Sequence, residues 1–228
     1  MLKPFVWAGI ALMLAPAAGW ADGRPIVLEL FTSQGCSSCP PADRLLSELA
    51  QRPDVLALGY HVSYWDHLGW KDPLSSEAST ARQRAYAHRL SGGQLYTPQL
   101  VVEGTSAMVG SRRAEVLAAL SEALPGEIAP ASFAADRRTV AIGPGRGSGD
   151  VLLVRFAQRR ATQVGAGENA GRALEDTNGV ETLKTLGAWT GARATFPVEP
   201  PGPGEGLAVL VQAEDGRILG AAAVKGSD

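Results

Sequence analysis

The chain has 228 residues, 45% hydrophobic and 19% charged, a globular composition too apolar for disorder and sufficient for one large core or two small ones. With 21 basic against 23 acidic residues the formal charge is -2, so neither a basic nucleic-acid-binding face nor an acidic tail is expected.

Met1 to Ala21 carries the three parts of a secretory signal: Lys3, an apolar run from Phe5 to Ala15, and small residues before Asp22. The run from Phe5 to Trp20 is shorter than the roughly 20 residues a membrane-crossing helix needs, so cleavage after Ala21 is expected rather than a retained anchor. The mature chain is then expected in the periplasm or secreted, without stable membrane insertion, where disulfides persist.

Ile26 to Phe31 reads as a strand buried on both faces and runs into Thr32-Ser33-Gln34-Gly35-Cys36. Ala42, Leu45, Leu46, Leu49 and Ala50 follow at helical spacing. Val55 to Ser63 is a second strand, leading into a loop with Tyr64, Trp65, Asp66, His67 and Trp70. Asp72-Pro73 reads as a cap and first turn opening a helix to about Leu90. Gln99 to Glu103 and Ser106 to Val109 form an expected hairpin, and Ser111 caps a helix striped by Ala114, Val116, Leu117, Leu120 and Leu124. From Ala129 onward short apolar runs alternate with Gly, Pro and Asp: 132–135, 139–142, 151–157, 194–198, 207–212 and 218–224. These suggest a β-sandwich-like second unit.

The two cysteines stand at Cys36-Ser37-Ser38-Cys39. Their bridge closes so small a loop that it adds little as a staple, because disulfide stabilisation in the chain-entropy picture grows with loop length. C-x-x-C between a strand and a helix instead suits thiol-disulfide exchange, with Cys36 attacking and Cys39 resolving. The disulfide is then itself the redox centre and no dissociable cofactor is needed. Pro40 and Pro41 remove two N–H donors and disfavour the α conformation at Cys39 and Pro40 respectively, so an irregular first turn is expected.

The run Glu29 to Asp43 (ELFTSQGCSSCPPAD), with His61-Val62-Ser63-Tyr64-Trp65-Asp66 and Tyr96-Thr97-Pro98-Gln99, resembles a family of exported bacterial proteins known only as a domain of unknown function. Gly167-Glu168-Asn169 and Gly171-Arg172 extend the resemblance into the second half. The family is similar to thioredoxins over its N-terminal half. This implies an α/β fold: a thioredoxin-like domain over 22–125, then a β-rich, sandwich-like domain over 126–228. It also implies that Pro98 is cis and that Thr97 and Pro98 shape a groove for an extended substrate. The loop departs from thioredoxin in having no Trp before Cys36 and Ser37-Ser38 in place of Gly-Pro. The acidic residue that assists proton transfer in thioredoxin has no exact counterpart. Glu29 lies one position off, and Glu29 and Gln34 are the candidate supporting residues.

The function expected is an exported thiol-disulfide oxidoreductase, its partners being exported protein thiols or disulfides and an unknown redox protein. A copper or zinc chaperone using Cys36, Cys39 and His67 is an alternative, although such chaperones use a longer cysteine spacing and a later histidine. A non-catalytic binding protein with an inert C-x-x-C is the other. His61 is read as a packed core histidine, Arg82, Arg84 and Arg89 as a solvated helix face, and Glu168-Asn169 as turn chemistry.

Overall fold

The seven consecutively buried residues of β1 (Ile26–Thr32) place this strand in the interior of an eight-stranded sheet, ordered β11-β10-β7-β8-β2-β1-β3-β4. The computed structural model describes residues 23–226 apart from 124, 125 and 127. The expected signal segment, Leu124 of the expected helix stripe and Pro125 at the expected junction therefore lie outside the described residues.

β2 (Val55–His61) runs parallel to β1, while β3 (Gln99–Val102) and β4 (Ser106–Val109) extend the sheet antiparallel on the other side. Alternation along β1 divides the core. Leu28 and Leu30 pack with Leu45, Leu46 and Leu49 of α1 (Pro40–Leu49) and with Val116 and Leu120 of α3 (Arg113–Glu122). Val27 and Phe31 face the opposite side, with Tyr60 and with Tyr86 of α2 (Glu77–Leu90).

The later strands continue this sheet. β7 (Gly149–Gln163) and β8 (Ala173–Trp189) form a long antiparallel hairpin, and β10 (Glu205–Gln212) and β11 (Ile218–Lys225) follow on the β7 side. β8 meets β2 at one parallel bridge, Gly59 to Gly179, reinforced by Asn178 Nδ2 donating to the Ala57 carbonyl at 2.8 Å. A three-stranded sheet of β5 (Ala131–Phe133), β6 (Thr139–Ile142) and β9 (Ala194–Pro197) packs Phe133, Val140 and Ile142 against Val151, Leu207, Val209 and Leu219. The molecule is thus mixed α/β, with a large sheet and few helices.

Several local expectations are corrected. Cys39 adopts an α conformation (φ -78°, ψ -37°) despite Pro40, and α1 starts regularly, because its first-turn N–H groups would be unpartnered in any case. α2 starts at Glu77, capped by Ser76; Asp72 Oδ1 accepts from Leu74 N–H at 2.9 Å, but only a turn follows it, closed by Ser75 N–H donating to the Asp72 carbonyl at 3.1 Å. α3 is not capped by Ser111; Arg112 occupies that position without a side-chain bond. Arg82 is buried rather than solvated. Strand β8 has no counterpart among the expected elements: only residues 176–180 and Trp189 are buried along its 17 residues. Among the described residues no helix is long and apolar enough to cross a membrane.

Candidate functional site

The chain leaves β1 at Thr32, turns with Cys36 N–H donating to the Ser33 carbonyl at 3.1 Å, and enters α1 through a Cys36–Cys39 disulfide. Both cysteines are 0% exposed, whereas Ser37 and Ser38 between them are exposed. Cys36 Sγ lies 3.3 Å from Ser38 Oγ, which reaches the Thr97 carbonyl at 3.5 Å. The Thr97–Pro98 peptide is cis, and Trp65 Nε1 donates to Thr97 Oγ1 at 2.9 Å. Thr97 and Pro98, just before β3, are therefore beside the cysteine loop.

A strap from the far half of the chain lies on the same loop. Residues 164–172, which connect β7 to β8, close on themselves through Gly171 N–H to the Val164 carbonyl (2.8 Å) and Val164 N–H to the Arg172 carbonyl (2.9 Å). From this turn the buried Asn169 Nδ2 donates to the carbonyls of both Gln34 and Cys36, each at 2.9 Å. Glu168 Oε2 accepts from Ser37 N–H at 3.0 Å, and the bonds from Ser37 hold its carboxyl below the usual range. Gly167, at φ +74°, lets the strap pass Trp70: a Cβ there would sit 3.1 Å from Trp70 Cβ and in strained backbone. Glu168-Asn169 is indeed a turn, but both side chains are spent on the cysteine loop.

Beneath the loop is a buried polar cluster. Gln34 N–H donates to Asp72 Oδ2 at 2.7 Å, and Gln34 Nε2 donates to Asp176 Oδ2 (2.6 Å) and Thr162 Oγ1 (3.1 Å). Trp70 Nε1 donates to Gln34 Oε1 at 3.2 Å. His61, at the end of β2, pairs through Nδ1 with Asp72 Oδ2 at 2.7 Å and places Nε2 3.6 Å from Asp176 Oδ1. Asp43, one helical turn after Cys39, accepts from Thr32 Oγ1 at 2.7 Å. Burial pushes the Asp43 carboxyl up to about 7, against the opposing pull of the Thr32 bond and the His61 charge. Asp176 is also raised, by burial first. For Asp72 burial acts upward, but its bond to His61, the imidazolium charge and two backbone N–H groups leave it lowered.

Gln34 is thus central to the site, and Glu29 is not. Glu29 points to the α2 face of β1, where both oxygens are held by Arg82 (2.5 and 2.9 Å) and Tyr86 Oη donates to it. The alternation of strand side chains puts it on the sheet face opposite α1, the helix that the cysteines open. His67 is exposed in the 3-10 turn Ser63–Leu68 and makes no hydrogen bond to the cysteine loop. Among the described residues no three His, Cys, Asp or Glu side chains gather as a metal site.

The sequence profile for the family described as a protein of unknown function, DUF1223, matches residues 27–212. The chain belongs to the DUF1223 family. Among solved structures it is similar to protein AGR_C_4864 of Agrobacterium tumefaciens, with 32% identity, a TM-score of 0.75, and 91% of this chain and 96% of that one covered. HBP35 of Porphyromonas gingivalis shares the fold at 13% identity and a TM-score of 0.55, over 90% of this chain and 76% of that one. No protein curated for function matches.

In this DUF1223 member the family-like positions of both halves converge: the cysteine run, His61, Thr97-Pro98 and Glu168-Asn169 all border one loop. The sequence reading misses Asp43, Asp72 and Asp176 as members of the site. A usable signal exists for Asp43, four residues after Cys39 on a helix; for Asp176, in a strand without apolar periodicity, there is none.

Proposed function

We propose that this DUF1223 protein is an exported thiol-disulfide oxidoreductase acting on other proteins through Cys36 and Cys39. The observation that carries the reading is the Cys36–Cys39 disulfide at the start of α1, next to the Thr97 carbonyl. A parallel β1–β2 pair, an antiparallel β3–β4 pair and helices on both faces support a thioredoxin-like first half. In the reaction, the Cys36 thiolate attacks a substrate disulfide, forming a mixed disulfide and releasing one substrate thiolate. Cys39 then attacks the Cys36 sulfur, releases the second thiolate and closes the bridge; two electrons and two protons pass to the substrate. Run in reverse, the same steps insert a disulfide. Thr97 offers its backbone to an extended substrate segment beside the bridge.

One observation favours a second reading, a non-catalytic protein with an inert bridge: both cysteines are fully buried. Titration of the metal-free protein with glutathione separates the two, run beside Cys39→Ser to trap mixed disulfides. Equilibration with millimolar glutathione and trapped partners are the expected results. A pair that never exchanges, with nothing trapped, overturns the enzyme reading in favour of the inert bridge.

A further inference from the structure

Among the described residues, four charged side chains hydrogen-bond to the segment 32–39, and all four are carboxylates. Asp43 accepts from Thr32, Asp72 from the Gln34 backbone, Asp176 from the Gln34 side chain and Glu168 from Ser37 N–H. Among the same residues no Lys or Arg side chain donates to this segment. A thiolate on the first cysteine of a C-x-x-C is ordinarily stabilised by free N–H groups at the helix start and by neighbouring cations. Here Pro40 and Pro41 have no N–H, Cys39 N–H is bonded to the Cys36 carbonyl at 3.2 Å, and Ser37 N–H is occupied by Glu168. Ser38 Oγ lies 3.3 Å from Cys36 Sγ, within hydrogen-bond reach.

We propose that Glu168, carried over the disulfide by the β7–β8 strap, disfavours the Cys36 thiolate and biases the pair toward giving electrons away. The protein then reduces disulfides of other proteins and is itself recharged by a dithiol protein of lower potential. That partner donates two electrons and two protons by the same exchange, ending as a disulfide. This direction of flow rests on the oxidoreductase reading above.

Glu168 is the member of the four that acts from the surface. Asp43, Asp72 and Asp176 sit around the imidazolium of His61, which offsets part of their charge. Asp66 accepts from Asp72 N–H and Ser75 Oγ, and His67, Lys71 and Arg172 are exposed on the flanking turn and strap. The Thr97 and Trp65 side is neutral. The amide that Glu168 occupies is about four covalent bonds from the Cys36 sulfur. A solvent-exposed carboxylate that close to a buried thiol changes its thiolate population by about three- to tenfold. Glu168 is therefore a positioning residue that tunes the nucleophile electrostatically.

The test measures the pH dependence of Cys36 alkylation by iodoacetamide, a neutral probe, in reduced Cys39→Ser protein with and without Glu168→Gln. The glutathione equilibrium of the two-cysteine protein is measured in parallel. Glutamine keeps an acceptor for Ser37 N–H and removes the charge. The expected result is a thiolate population at pH 7 raised about three- to tenfold, a difference that shrinks at high salt, and a glutathione equilibrium moved toward the reduced pair. Glu168→Asp, which keeps the charge, returns the titration toward that of the unsubstituted protein. Superimposable alkylation curves with and without Glu168→Gln overturn the inference. A pair that exchanges readily yet equilibrates as a strong oxidant also overturns it, leaving the oxidoreductase reading intact. A pair that never exchanges removes that reading itself.

Discussion

His61 Nδ1 and Asp72 Oδ2 meet at 2.7 Å beneath the cysteine loop, both side chains almost wholly buried. Burial alone lowers an imidazole pKa, but the bond to Asp72 and the charges of Asp72, Asp176 and Asp43 outweigh it and push His61 up to about 9. The same Asp72 oxygen accepts from Gln34 N–H, so the ion pair anchors the loop that carries the disulfide.

Stability should therefore fall with alkaline pH. Because the folded His61 value lies above its ordinary 6.5, its contribution is full below about 6.5 and is lost as pH rises through about 9. Asp43, raised from 3.8 to about 7, acts in the same direction at lower pH: its contribution is full below 3.8 and lost as pH rises through about 7. Thermal melts should show a falling midpoint between about pH 6.5 and 9, flattened in His61→Gln. A midpoint that stays level in the unsubstituted protein contradicts a cationic His61.

Asn169→Ala should expose the disulfide. Two buried carbonyls lose their donor, which costs about 1–3 kcal/mol in urea denaturation. If a cost of that order falls on local opening of the strap, reduction of the bridge by dithiothreitol should speed up by about tenfold or more. An unchanged reduction rate would mean that access to Cys36 does not run through the strap.

Arg82→Ala should be one of the most damaging single substitutions. It leaves Glu29 buried without its cation, a loss of about 3–5 kcal/mol by chemical denaturation. Replacing both residues together, as Glu29→Gln with Arg82→Met, should recover most of that loss. The glutathione equilibrium of Cys36 and Cys39 should not move in the double variant; a shift would return Glu29 to the redox site.

Gly104→Ala tests the contact between the β3–β4 turn and the β10–β11 turn. Gly104 has φ +70°, and a Cβ there would lie 1.9 Å from the Gly216 carbonyl oxygen. Backbone must move on one side or the other, so a loss of more than about 2 kcal/mol is expected, read from the urea midpoint.

The cysteine motif, the buried strand before it, the helix spacing of Ala42, Leu45, Leu46 and Leu49, and the Thr97-Pro98 step are all legible in the chain itself. Each rests on residues close in sequence, where spacing and backbone preference act directly. Arg82 cannot be placed that way. A charged residue on a helix reads as solvated until a partner is known, and Glu29 is 53 positions away. The β8 strand is hidden for a related reason: paired to β7 along its length and largely exposed, it carries no apolar alternation to detect.

The sequence by itself determined the chemistry on offer: two thiols, three residues apart, at the mouth of a helix. Only the tertiary structure decided their surroundings. Asn169 reaches Gln34 across 135 residues, and Asp176 reaches it across 142. Those contacts depend on the register of a long hairpin and on a single bridge between Gly59 and Gly179. No local pattern encodes such a distance, because what brings the carboxylates to the cysteine loop is the order of strands in the sheet, set by burial of the whole core.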